Sequence, residues 1–170
     1  MRPPQLGEAA SAFTGRFVVL RHEMPAHAQR SSHWDLLLEA GPVLAAWELP
    51  CPLLASRDTS GPITGPARRL PDHRVLYLDY QGPIAGDRGH VTRVAAGVHH
   101  THFEPTNLRC PSDVRWIIEL MGCVIDEPPN RQPPSREIQL AGRLTIEPLT
   151  SPGDSSHRWN WEPSPSEVHE

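Results

Sequence analysis

Residues Arg16–His22 read RFVVLRH, residues His33–Glu39 read HWDLLLE, and residues Val43–Leu49 read VLAAWEL. These three pieces decide the fold. Val, Phe and Trp enrichment over short runs predicts strands. The AGP between the second and third pieces predicts a hairpin turn. HWDLLLE taken alone fits strand or helix, but its neighbours favour a strand. The pattern continues downstream with Arg74–Tyr80 (RVLYLDY), which alternates with Val75, Tyr77 and Asp79 on one face. His90–Ala95 follows the turn GDRG, and Val114–Met121 and Ile138–Glu147 complete the set. For Ser112–Met121, a Ser112 cap suits a helix, whereas Trp116-Ile117-Ile118 favours a strand. Gly and Pro break the chain every ten residues or so, as in small all-β domains. The expected class is mostly β: a small antiparallel β-barrel with long loops and at most one or two short helices.

The chain has 170 residues, which suits one domain, and 38% hydrophobic residues, enough for one core. A Pro/Ala-rich arm is expected over 1–14, the barrel over 15–150, and a polar tail over 151–170 in which only the WNW piece docks. No apolar run reaches the length of about 20 residues of a membrane span. The N-terminal residues lack an uninterrupted apolar stretch, so no secretory leader is expected. Three Cys without a CxxC pair argue against a disulfide framework and for the cytoplasm. All 16 basic residues are Arg. Residues 15–100 carry 9 Arg against 8 acids and the remainder 7 against 12. A near-neutral middle with acidic flanks excludes a nonspecific DNA clamp, which needs dense cationic surface. It leaves room for a small phosphate site.

Eight of the ten His lie between His22 and His102. Among them, His33-Trp34-Asp35 places an imidazole and a carboxylate two positions apart, hence on one face of a strand. Such a pair can grip one divalent ion if a neighbouring strand supplies a third ligand, and the mixed N/O set suits Mn, Fe(II) or Zn. His22, at the end of RFVVLRH, and His27, in the connecting loop, compete for that third place. A rigid strand end positions a ligand better than a loop, which favours His22.

In order and spacing, RFVVLRH, HWDLLLE, VLAAWELP and LPDHRVLYLDYQGPI resemble the 3′-phosphoesterase domain found at the N-terminus of bacterial DNA ligase D and as a free-standing protein. That family runs FVVQKH, HYDFRLE, LxSWAVP and EDHPxxYxxFEGxIPxGxYG. The resemblance covers residues 16–95 and continues weakly through WIIELMG and IQLAGRLTIEPL. It implies a compact barrel carrying a divalent metal, typically Mn2+, that trims DNA 3′ ends by removing a terminal ribonucleoside and then the 3′-phosphate. Position by position, it puts the metal ligands on His22, His33 and Asp35. It puts the phosphate-contacting His on His73 and the active-site Tyr on Tyr77. Implied partners are DNA 3′ ends, including ones carrying ribonucleotides, and a DNA-repair ligase or polymerase; the chain is expected to act as a monomer.

The departures bear on activity. The family's Arg in HYDFRLE is Leu37 here, its Gln before the first metal His is Leu20, and its Glu before the Asp-His pair is Pro71. An Arg clamps phosphate bidentately, so Leu37 is expected at the edge of the metal groove, where it weakens catalysis. Arg21, Arg30 or Arg74 could replace the missing cation. Two other readings follow from the residues. One is a barrel that has lost catalysis and binds nucleic-acid ends or a protein. The other is an Fe(II)/2-oxoglutarate oxygenase using His33, Asp35, His99 and Arg109. Against the latter, few residues precede His33, and the segment after His102 is irregular.

Overall fold

The computed structural model describes residues 12–50, 62–105, 114–125, 138–149 and 156–164. Nine strands follow in chain order: β1 (Phe13–Glu23), β2 (His33–Ala40), β3 (Val43–Leu49), β4 (Ile63–Arg74), β5 (Gly82–Pro83), β6 (His90–Pro105), β7 (Val114–Val124), β8 (Ile138–Pro148) and β9 (Ser156–Pro163). Neighbours run β1-β2-β3-β4-β9-β8-β7-β6, and β6 pairs back onto β1, so eight antiparallel strands close a barrel. The short β5 pairs with β6 outside the ring. Closure removes the unpaired edges that an open sheet would expose. Eight strands leave an interior just wide enough for side chains to fill.

The filling follows from period-2 alternation. Phe17 and Val19 of β1 point inward with Leu36 and Leu38 of β2 and Ala45, Trp47 and Leu49 of β3; Ile118, Leu120, Leu144, Ile146, Trp159 and Trp161 meet them across the interior. The alternate positions of the same three strands are apolar as well. Val18, Leu20, Leu37, Leu44 and Ala46 form a second cluster on the outer face, covered by Leu78 with Val75, Tyr77, Tyr80 and Ile84. Burial on both faces explains why β2 reads as an unbroken Leu36-Leu37-Leu38 run. The β2–β3 hairpin closes through Gly41-Pro42, with Ala40 opposite Val43. Gly41 takes φ 67°, a left-handed conformation open to glycine, while Pro42 holds the next φ negative.

The structure corrects four expectations. Arg74–Tyr80 is not a strand: β4 ends at Arg74, opposite Val43 at the hairpin turn, where its partner runs out. The chain then makes a 3-10 turn over Val75–Leu78, and its apolar side chains pack on the outer cluster instead of in a ladder. Leu37 is not at an exposed groove edge; it is fully buried beneath that turn. The barrel extends beyond 150, because Ser156–Pro163, expected in the polar tail, is β9, inserted between β4 and β8. Trp159 and Trp161 are its inward residues. Finally, β1 begins at Phe13, inside the expected arm. Of the two alternatives for Ser112–Met121, Val114–Met121 is strand, as Trp116-Ile117-Ile118 favours. No helix among the described residues is long and apolar enough to cross a membrane.

Candidate metal centre

β1 and β2 pair so that His22 stands opposite His33 and Leu20 opposite Asp35. Opposite residues of an antiparallel pair share a face, as do residues two apart. His22, His33 and Asp35 therefore project together from the outer face of the barrel, next to the apolar cluster. One ligating atom from each lies within 4.8 Å of the others. His33 and Asp35 are buried and His22 is half-buried.

Hydrogen bonds to the backbone fix the imidazoles. His22 Nε2 lies 2.8 Å from the Arg88 carbonyl, and His33 Nδ1 lies 2.8 Å from the Ser31 carbonyl. A carbonyl only accepts, so these nitrogens carry the protons. That leaves His22 Nδ1 3.2 Å from Asp35 Oδ2 and His33 Nε2 3.4 Å from Asp35 Oδ1. In neutral rings these nitrogens aim lone pairs at a carboxylate, a repulsive arrangement unless a proton or a cation intervenes. Asp35 Oδ1 is buried without a hydrogen-bond partner, and a buried unpaired carboxylate oxygen is costly. The His22 pKa is raised, chiefly by its hydrogen bond to Asp35; burial opposes this and the Arg88 carbonyl adds to it. Outer carbonyls that orient imidazoles toward a common carboxylate are the usual support of a metal site. Two nitrogens and a carboxylate suit Mn, Fe(II) or Zn. The donor set thus fits a divalent cation.

The Arg88 carbonyl is placed by the GDRG turn. Gly86, Asp87 and Gly89 all have positive φ, at 78°, 52° and 94°. The Ile84 amide donates to the Gly89 carbonyl at 2.8 Å, closing the turn. A Cβ on Gly89 would lie 2.1 Å from the Glu23 carbonyl oxygen, so only glycine lets this turn press against the end of β1.

Across the sheet, Glu48 of β3 stands opposite Asp35, and Arg68 of β4 stands opposite Glu48. Glu48 Oε2 accepts hydrogen bonds from both Arg30 and Arg68. The same oxygen lies 4.0 Å from His33 Nε2, and an Arg30 nitrogen lies 3.5 Å from that ring atom. Burial pushes the Glu48 carboxyl up. The Arg68 hydrogen bond and the charges of His33, Arg30 and Arg68 outweigh this and hold it below the usual carboxylate range. No protein-family model matches the chain, and no curated protein matches it.

The remaining candidates fall elsewhere. His27 lies in the exposed loop with its Nε2 3.3 Å from Asp87 Oδ2, so His22 is the third member of the cluster. His73 sits near the end of β4 opposite Leu44, on the same outer face. Glu48 lies four positions along β3 from Leu44, roughly 13 Å of strand. The His73 and Tyr77 rings meet edge to face at 5.6 Å. They are brought together by the 3-10 turn rather than by strand alternation. His73 Nδ1–H donates to the Pro71 carbonyl at 2.8 Å. Of the three arginines considered as a replacement cation, Arg30 is at the cluster, while Arg21 pairs with Glu23 and Arg74 lies over Tyr77.

His99 points into the barrel, opposite Leu120, on the other side of the sheet from His33 and Asp35. Its Nε2–H donates to the Glu39 carbonyl and its Nδ1 accepts from Thr101. Burial lowers its pKa. It is a satisfied interior histidine and joins no cluster with His33 and Asp35, as the oxygenase arrangement requires. Arg109 lies outside the described residues. Sequence reading missed Glu48 and Arg68, whose place depends on strand register, and the Ser31 and Arg88 carbonyls, which no side-chain pattern reports.

Proposed function

We propose that the chain is a divalent-metal-dependent phosphoesterase acting on DNA 3′ ends, with His22, His33 and Asp35 as metal ligands and Mn2+ as the metal. The observation that carries the metal reading is the pair of carbonyl-fixed imidazoles aimed at a carboxylate whose Oδ1 has no partner. A bound divalent cation supplies polarisation of a phosphoryl oxygen and a lowered pKa for water. The chain's own residues do the rest. The Arg88 and Ser31 carbonyls hold the ring protons away from the reacting side. Arg30 and Arg68 place positive charge at the rim, where Leu37 provides none. His73 and Tyr77, on the same face, are assigned to the nucleic-acid strand next to the reacting phosphate, His73 with an Nε2 available to contact a phosphate oxygen. The choice of 3′ ends, of a 3′-phosphate or 3′-ribonucleotide as the group removed, and of a repair ligase or polymerase as partner, rests on the resemblance of residues 16–95.

One observation favours a second reading, a binding module that has lost catalysis. Leu37 is fully buried under Val75–Leu78, so its position offers a phosphate nothing. The test is an assay on a primer ending in a 3′-phosphate or a 3′-ribonucleotide, with Mn2+ and with chelator. Metal-dependent release of phosphate or nucleoside that disappears in Asp35→Asn supports the phosphoesterase. Tight end binding without turnover supports the module, and neither result with metal bound rejects both.

A further inference from the structure

Arg30 and Arg68 reach Glu48 from opposite directions. Arg30 comes from the loop before β2, and Arg68 comes from β4. Both guanidinium groups donate to the same carboxylate oxygen, Oε2. Two guanidinium groups thus meet at one carboxylate oxygen, at the rim of the His22–His33–Asp35 cluster, where an Arg30 nitrogen lies 3.5 Å from His33 Nε2. Glu48 is half-buried, whereas Arg30 and Arg68 are exposed. The carboxylate is therefore the inner member and the guanidinium groups the outer ones, open to a ligand arriving from solvent.

We propose that Arg30 and Arg68 are a clamp for a terminal phosphate monoester, and that Glu48 is a resident carboxylate which the incoming phosphate replaces between them. Guanidinium forks bind phosphate and carboxylate with the same planar hydrogen-bond geometry, so one can stand in for the other. The exchange sets a preference. A phosphate monoester carries a charge of about −1.5 to −2 at neutral pH, whereas an internal phosphodiester carries one negative charge and gains little over the carboxylate it must displace. The clamp thereby selects chain ends over chain interiors. It also supplies, from β4 and the loop before β2, the cationic contact that Leu37 cannot supply from β2. The ligand's identity rests on the phosphoesterase reading, while the clamp's geometry does not.

The test uses the full chain in chelator, so that no metal contributes. Labelled single-stranded DNA ending in a 3′-phosphate or in a 3′-hydroxyl is titrated by fluorescence anisotropy at low salt. The expected result is tighter binding of the phosphate end by roughly tenfold to a hundredfold, the range for charge-assisted hydrogen bonds. That preference is lost in Arg30→Gln and Arg68→Gln and enlarged in Glu48→Gln. A preference that emerges only in Glu48→Gln also supports the proposal, because it marks Glu48 as the competitor. Thermal unfolding checks each variant, and Arg30→Lys and Arg68→Lys, which keep the charge, replace any glutamine variant that fails to fold. Equal binding of the two ends by the unaltered protein and by Glu48→Gln overturns the proposal and leaves an ordinary ion-pair bridge. Mn2+ binding is measured separately by calorimetry on the same proteins. Mn2+ binding without end preference removes the clamp and keeps the metal centre; end preference without Mn2+ binding does the reverse.

Discussion

Replacing Leu37 with Arg introduces the residue type found at this place in the ligase D phosphoesterase pattern that residues 16–95 resemble, and the structure predicts that it harms the protein. Leu37 has no exposed surface and packs among Val18, Leu20, Leu44, Ala46 and Leu78. Removing a buried leucine costs about 2–5 kcal/mol in core sites. Arg would keep some packing through its methylenes, but its guanidinium would have to escape past the 3-10 turn or remain buried at a cost of several kcal/mol. A net loss of about 3–5 kcal/mol follows. With a urea dependence of about 2 kcal/mol per molar for a chain of this size, the unfolding midpoint should fall by roughly 1.5–2.5 M. Equilibrium urea unfolding followed by tryptophan fluorescence reads this directly, since Trp47, Trp159 and Trp161 are buried. A midpoint within about 0.5 M of the unaltered protein, roughly 1 kcal/mol, would refute the reasoning. So would a folded Leu37→Arg protein with increased phosphatase activity, because it would mean that Val75–Leu78 does not seal this face.

Three further outcomes are expected. In chelator, the raised His22 pKa contributes stability that is fully present below its unfolded value of about 6.5 and is lost as pH rises through the folded value. Metal affinity runs the other way, falling as pH drops through that same value because the proton competes for Nδ1. Thermal unfolding from pH 5.5 to 8, with and without Mn2+, should show opposite slopes, and Asp35→Asn should flatten the metal-free one. Gly89→Ala forces a Cβ against the Glu23 carbonyl at a positive φ, so it should lower stability by about 1–3 kcal/mol and weaken metal binding by moving the Arg88 carbonyl. Calorimetry at matched temperature separates the two effects. Trp161→Ala should cost about 3–5 kcal/mol if β9 is a barrel strand, whereas a change under about 0.5 kcal/mol, typical of exposed sites, would mark it as a docked tail.

The part of the fold readable in the sequence was the part written in local period. The Val- and Leu-rich runs of β1 to β3 and the Gly41-Pro42 turn gave strands, a hairpin and the shared face of His33 and Asp35. Antiparallel pairing then brought His22 opposite His33. Residues whose pattern has another cause were misread. Arg74–Tyr80 alternates like a strand, yet its apolar residues cover the outside of the barrel where no ladder partner exists. Trp159-Asn160-Trp161 does carry the period of a half-buried strand, but surrounding Pro and Ser obscured it. Glu48 and Arg68 reach the site only through register, which depends on a bulge between Leu44 and Ala46 in the β3–β4 pairing.

If His22, His33 and Asp35 together hold one divalent cation, titrating Mn2+ into the chelator-stripped protein and counting bound ions by electron paramagnetic resonance will show it. One ion per chain is expected, lost in His33→Ala and in Asp35→Asn and retained in His27→Ala, whose ring pairs with Asp87 instead. Binding that survives Asp35→Asn or vanishes in His27→Ala, or no binding by the unaltered protein, would contradict it.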